Sequence, residues 1–313
     1  MVLLLLSSLW NVQANGKKVR TGNRSDAIML QLSQPVINYV RPNLILGKDK
    51  YAGPADIWNP KKGFLVQSIN PESYNLNFPT TGAHNLYFDL LITGIDVRDL
   101  TWEPVTHEGI TATVTNDVVC DSWIPYEDCK EWVARVKLTG PVARYRWDNP
   151  KPSVVKPRLP QTFELVGRDI YDVEVVKYGF VLKQWFIHRG DKSYYYDMLK
   201  WCHNIGYHMP RVRDLTNAVN VNNGGILPPV VGASPSSPYN NYMRHIDAGF
   251  FSEWGVVDFY KGADFGRNYH LSSEDENNKN TSFMYVVDSA YGDIRTGSSM
   301  GSFYVVCVSD LRP

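Results

Sequence analysis

Four kinds of residue pattern in this 313-residue chain are of types that do chemistry: Arg189-Gly190-Asp191, Gly297-Ser298-Ser299-Met300-Gly301, the histidines, and four cysteines. The second pattern matches the Gly-x-Ser-x-Gly of a hydrolase nucleophile elbow. That elbow needs a strand before the turn and a helix after it, with a histidine to complete the triad. Here a strand-like run, Phe303-Tyr-Val-Val-Cys-Val308, follows, and no histidine lies downstream. A Gly/Ser turn between two strands is the better reading. His203 and His208 stand five apart across a helix end, so they share no helical face, and His188, His245 and His270 are scattered. Neither His-Glu-x-x-His nor Gly-x-x-x-x-Gly-Lys occurs. Calcium-dependent sugar binding would need Glu-Pro-Asn or Gln-Pro-Asp with Trp-Asn-Asp, and none of these triplets is present. The sequence therefore predicts no enzyme activity, no metal site and no cofactor.

Two candidate contact sites for a protein partner remain. Arg189-Gly190-Asp191 is the tripeptide that integrins read, with the carboxylate completing a metal site on the partner and the guanidinium pairing an acidic groove. It is expected in the turn between a strand ending near Ile187 and a helix starting near Tyr195. The structural alternative is a plain turn, with Gly190 relaxing the backbone and Asp191 or Ser193 capping the helix. The second candidate is Tyr239, Asn240, Tyr242 and Arg244, in a stretch rich in Pro, Ser and Asn. Tyrosine and arginine among small polar residues are what protein-binding loops use. A solvated loop is the alternative there. Phe250, Phe251 and Trp254 are expected as core at the base of that loop.

The cysteines are Cys120, Cys129, Cys202 and Cys307, which allow three pairings. No Cys-x-x-Cys exists, which argues against redox catalysis and zinc-finger spacing. Cys120 and Cys129 flank a turn-like stretch, so a local bridge is easy. Cys202 ends a predicted helix and Cys307 lies in the last strand, and the expected second bridge joins them. Oxidised cysteines fit an exported protein. So does the start of the chain. Residues 1–14 read as the apolar core of a signal peptide with a small-x-small site at Val12-Gln13-Ala14. The basic residues that normally precede such a core are absent, so the start could lie upstream of Met1.

The elements that must hold these residues are mostly strands. Nineteen Tyr and nine Trp accompany 23 Gly and 19 Pro, the mixture of β-rich domains with elaborate loops. Basic and acidic residues balance at 32 each, which argues against a nucleic-acid footprint. No apolar run approaches the ~18–20 residues of a membrane-spanning helix. Residues 15–62 read as a lead-in with one or two short strands. Residues 63–147 alternate at period two, as in Ile110-Thr-Ala-Thr-Val-Thr115, and suggest an immunoglobulin-like β-sandwich. Trp132, Ala134, Val136 and Leu138 are expected on one face there. Residues 148–160 carry four prolines and read as a linker. Residues 161–313 open with strands, pass through a helix ending near Gly206 and a second over Pro210–Val219, cross a long loop region from Asn220 to about Asn280, and close with two strands. The last strand, apolar on both faces, is expected at the centre of its sheet.

That order resembles a C-type-lectin-like fold. The wording of Phe163-Glu-Leu-Val-Gly-Arg-Asp169, Trp201-Cys202, Pro210-Arg-Val-Arg-Asp-Leu-Thr-Asn-Ala218, Ala248-Gly-Phe-Phe-Ser-Glu-Trp-Gly255 and Tyr304-Val-Val-Cys307 resembles the C-terminal adhesion domain of invasin/intimin-type bacterial adhesins, most closely the invasin E-like subgroup. Residues 63–146 resemble the immunoglobulin-like domain that precedes it. The resemblance implies a mainly β protein, an immunoglobulin-like β-sandwich followed by a small α+β, C-type-lectin-like domain. It also implies a secreted or surface-exposed adhesin that binds a host cell-surface or extracellular protein. Full-length members carry an outer-membrane barrel that this sequence lacks, so the expectation is either a detached passenger or a secreted soluble partner exported through a separate barrel protein. The alternative is an envelope module that binds only bacterial partners.

Overall fold

The computed structural model describes residues 34–143, 153–222, 226–273 and 282–310. The signal-peptide reading over 1–14, the lead-in up to residue 33 and residues 148–152 of the Pro-rich linker lie outside the described residues. From residue 34 onward the chain forms a single unit. Its N-terminal region holds β1 (Val36–Arg41), β2 (Trp58–Asn59), β3 (Gly63–Leu65), β4 (Thr81–Ala83), β5 (Tyr87–Thr93), β6 (Thr101–Trp102), β7 (Val105–His107), β8 (Ile110–Val118), β9 (Trp132–Thr139), β10 (Gln161–Arg168) and β11 (Glu174–Leu182). One sheet has the order β2-β3-β1-β5-β9-β8-β7 and a second the order β11-β10-β6. Period-two alternation turns one face of each toward the other. Phe88 on β5 meets Phe180 at 6.0 Å and Tyr178 at 6.3 Å, and His107 meets Phe163 at 5.1 Å. This is the immunoglobulin-like sandwich.

Its limits differ from the expected ones at both ends. The lead-in is not peripheral, because β1 pairs with β3 on one side and β5 on the other, and Val40 is fully buried. Pro35 and Pro42 bracket this strand rather than interrupt it. Beyond the prolines, the β10–β11 hairpin completes the second sheet of the sandwich, since β10 pairs with both β11 and β6. Proline removes ladder hydrogen bonds locally but does not decide which sheet the next strand joins. Apart from β4, the strands change sheet between β11, ending at Leu182, and β12, starting at Gln184, and not over 148–160. On β9, Ala134, Val136 and Leu138 are buried as expected, but Trp132 is largely exposed at the strand's start.

The C-terminal region holds β12 (Gln184–Ser193), α1 (Tyr195–Asn204), α2 (Val212–Leu215), β13 (Val219–Asn220), β14 (Val230–Val231), α3 (Phe250–Trp254), β15 (Tyr269–Leu271), β16 (Phe283–Asp288), β17 (Ile294–Ser298) and β18 (Phe303–Val308). The main sheet runs β17-β16-β15-β18-β12-β4. β18 is central, and Val305 to Val308 are all fully buried. α1 buries Met198, Trp201 and Cys202 and ends before Gly206, whose φ of +78° is the left-handed conformation that glycine adopts without strain. α2 is shorter than expected and stops at Thr216. There Asn217 takes over, its Nδ2 donating to the carbonyls of Pro235 and Met243 at 3.0 Å each. Phe250, Phe251 and Trp254 are core. Gly297 and Ser298 belong to β17 rather than to a turn. No helix among the described residues is long and apolar enough to cross a membrane.

The two regions interlock. β4 leaves the sandwich and pairs in parallel with Gln184–Phe186 of β12. Just before it, the fully buried carboxylate of Glu253 on α3 accepts from the N–H and Oγ1 of both Thr80 and Thr81 and from the N–H of Asp247, at 2.5–3.2 Å. A buried carboxylate is tolerable when its lone pairs are met in this way.

Candidate functional site

The segment from Tyr239 to Arg244 leaves the surface and enters the core, so its four candidate residues separate into two pairs. Tyr242 is fully buried, edge-on to Tyr51 at 5.5 Å, and its N–H donates to the carbonyl of Tyr291 at 3.0 Å. Burial pushes its phenol well above the usual tyrosine range. Arg244 is fully buried as well. Its guanidinium lies 4.3 Å from the Trp58 ring centroid and 5.6 Å from that of Phe64, and Nη2 donates to the carbonyl of Asn43 at 3.0 Å. Gly53 and Gly255 make room for it; a Cβ on Gly53 would fall 2.0 Å from the Arg244 carbonyl oxygen, and one on Gly255 2.1 Å from Nη1. Tyr242 and Arg244 are thus rivets between the two regions and not contact residues, which corrects the expectation. Tyrosine and arginine serve a buried junction as readily as a loop when π faces and carbonyls are there to meet them.

Tyr239 stays outside, at 56% exposure, and Asn240 is exposed beside it. The Tyr239 carbonyl accepts from the N–H of Val219 at 3.1 Å, which fixes the tyrosine to β13. Asn240 is held at both ends of its amide by Ile294, accepting from the N–H at 2.8 Å and donating to the carbonyl at 2.9 Å. Together these residues line a cleft of about 670 Å³, with Val219–Asn222 on one wall and Ile294–Thr296 on the other. Val221 and Val231 add apolar surface at 61% and 58% exposure. Arg295 stands on the rim, its Nε donating to Asp293 at 2.6 Å, and that bond raises the guanidinium's proton affinity further. Exposed aromatic and β-branched side chains around a concavity on a rigid sheet suit protein recognition. Sequence reasoning misses Val221, Val231, Arg295 and Thr296. The short Val219-Asn-Val221 and Val230-Val231 runs are the available signal, and in sequence Val219 reads as the end of a helix and the rest as loop.

A larger cleft of about 850 Å³ lies on the sandwich, between residues 44–51 and the Cys120–Cys129 loop. That loop is tied down by Asp128 to Arg41 at 2.8 Å and by Asp121 to Arg135 at 2.7 Å. Its Trp123 turns inward onto Tyr87 and Tyr260, and Lys61 pairs with Glu127 at 3.2 Å across the mouth. Among the described residues no cluster of His, Cys, Asp or Glu is arranged to hold a metal.

No protein-family model matches the chain. No curated protein matches it either. Among solved structures it is similar to invasin, a bacterial integrin-binding protein, with 11% identity and a TM-score of 0.51 over 88% of this chain and 39% of that one. The fold is of the invasin type. The chain spans about two fifths of the invasin it matches. A 282-residue C-terminal fragment of intimin, solved with the intimin-binding domain of the translocated intimin receptor, is also similar, with 11% identity and a TM-score of 0.45 over 88% of this chain and 66% of that one.

Within this invasin-type fold the disulfides are Cys120–Cys129 and Cys202–Cys307, with Cα separations of 4.7 and 5.4 Å. The second joins α1 to the central strand β18. Arg189-Gly190-Asp191 lies on β12 itself rather than in a turn after it, where the pairing with β18 shifts register between Arg189 and Ser193. Arg189 points back over Trp201, 5.8 Å from the ring, with Nη1 3.7 Å from the Met198 sulfur. Asp191 is exposed. The two charges of the tripeptide are thus not presented together.

Proposed function

We propose that the chain is a secreted or surface-exposed bacterial adhesin that binds a host cell-surface or extracellular protein through its lectin-like region, without catalysis. The observation that carries this reading is the cleft between Tyr239 and Thr296, lined by exposed Tyr239 and Val221 and mounted on an invasin-type frame. The signal-like residues 1–14 and the two cysteine pairs support export, and an outer-membrane barrel protein is the proposed exporter. Integrin binding belongs to invasin; here the inward-turned Arg189 favours the cleft over the tripeptide.

The test is binding of the full chain, in oxidising buffer, to a panel of purified host receptor ectodomains, immunoglobulins and matrix proteins, with bacterial envelope proteins alongside. Saturable binding to a host protein is the expected result. Capture of an envelope protein alone would overturn the host-directed reading and leave an envelope module.

A further inference from the structure

β17 is the outermost strand of the six-stranded sheet and pairs on one side only, with β16. Across that hairpin the N–H of Asp288 donates to the carbonyl of Asp293 at 3.0 Å, and the N–H of Ser299 to that of Ser282 at 2.9 Å. Antiparallel ladders alternate, so the odd-numbered residues of β17 bond to β16, and Ile294, Thr296 and Ser298 direct N–H and C=O away from the sheet. At Ile294 these groups are already met. The Asn240 amide accepts from its N–H and donates to its carbonyl, and Asn220 Nδ2 donates to the same carbonyl at 2.6 Å. One side-chain amide thereby copies the two bonds that a residue of a neighbouring strand would make.

Two residues further on, the copy ends. The N–H and C=O of Thr296 and the N–H of Ser298 meet no partner among the described residues, and Thr296 Oγ1 is buried without one. The carbonyl of Ser298 is closed off by the N–H of Gly301 at 2.8 Å. The open edge is therefore a short slot, bounded by Asn240 at one end and a turn at the other, with the cleft of Tyr239 and Val221 alongside. We infer that this slot takes an extended segment of the protein partner, added as a further strand beside Thr296–Ser298, with an apolar side chain entering the cleft. Main-chain bonds supply attachment in this mode and alternate side chains supply selectivity. A second copy of this chain does not fit as well. Antiparallel pairing of two β17 strands centred on Thr296 would set Ser298 of one against Ile294 of the other, where the Asn240 amide already sits. The inference rests on the reading of the cleft as the binding site.

The experiment selects random displayed peptides on the full chain and measures the winners against variants. Thr296→Pro removes the outward N–H and fills the slot, without touching a bond to β16. It is expected to weaken the selected peptides at least about tenfold. On the wild-type chain, peptides N-methylated at successive positions should lose binding at alternate ones, which keeps the test valid even if the proline variant does not fold. Peptides insensitive to both Thr296→Pro and N-methylation, but lost in Tyr239→Ala, would overturn strand addition and leave the cleft standing. A selection that yields no binding peptide would overturn strand addition as well.

Discussion

His270 is 1% exposed between the rings of Phe251 and Tyr304, at centroid distances of 5.5 and 5.7 Å, with Nδ1–H donating to the carbonyl of Asn268 at 2.9 Å. Burial among apolar rings, with His188 and Lys192 adding repulsion, depresses its pKa from 6.5 to about 4. In the unfolded chain the imidazole takes up a proton as the pH falls through 6.5, while in the folded chain it stays neutral until about 4. Its contribution to stability is therefore complete above 6.5 and is lost on acidification between these values, by at most about 3 kcal/mol. Urea unfolding across this window should show a fall in stability that is shallower in His270→Gln. Parallel pH profiles for the two proteins would assign the acid sensitivity elsewhere. Arg244 belongs at this scale too. Its stacking on Trp58 and Phe64 depends on residues far away along the chain, which no local pattern displays.

Among the elements, α3 is the one that joins the two regions. Five donors converge on the two oxygens of Glu253, and an amide in its place would turn a donor toward donors. Glu253→Gln should cost about 3 kcal/mol, because a buried donor left unmet carries its full desolvation penalty. Chemical denaturation measures it, and a loss under about 0.5 kcal/mol, the range of ordinary surface changes, would mean that the cluster rearranges freely. Elements with strong local signals were legible in sequence: β16 and β18 as apolar runs, and α1 from its helical spacing and Gly206. Sheet membership was not. β1 and the β10–β11 hairpin are ordinary strands whose partners lie far along the chain, so nothing within them tells which sheet they complete. The candidate site was half legible for the same reason. Tyr239 and Asn240 read correctly as surface, while Tyr242 and Arg244 are buried only because Tyr51, Trp58 and Asn43 arrive from the sandwich side.

At the scale of the whole molecule, β4, Glu253, Tyr242 and Arg244 join the sandwich and the lectin-like region into a single mounting for the cleft. The Tyr239 carbonyl is held by Val219 and the Asn240 amide by Ile294, so under the proposed binding role little ordering is left to oppose association. The mounting also separates the two candidate contact sites, since Tyr239 faces the cleft by β17 while Asp191 stands on β12, several strands away in the same sheet. The measurement that decides between them is the affinity of the full chain for a host ectodomain it captures, compared among wild type, Tyr239→Ala and Asp191→Ala. The cleft requires Tyr239→Ala to lose at least ~2 kcal/mol, the hot-spot scale, and Asp191→Ala to stay within ~0.5 kcal/mol. Normal binding by Tyr239→Ala together with loss in Asp191→Ala would contradict it and move recognition to the tripeptide.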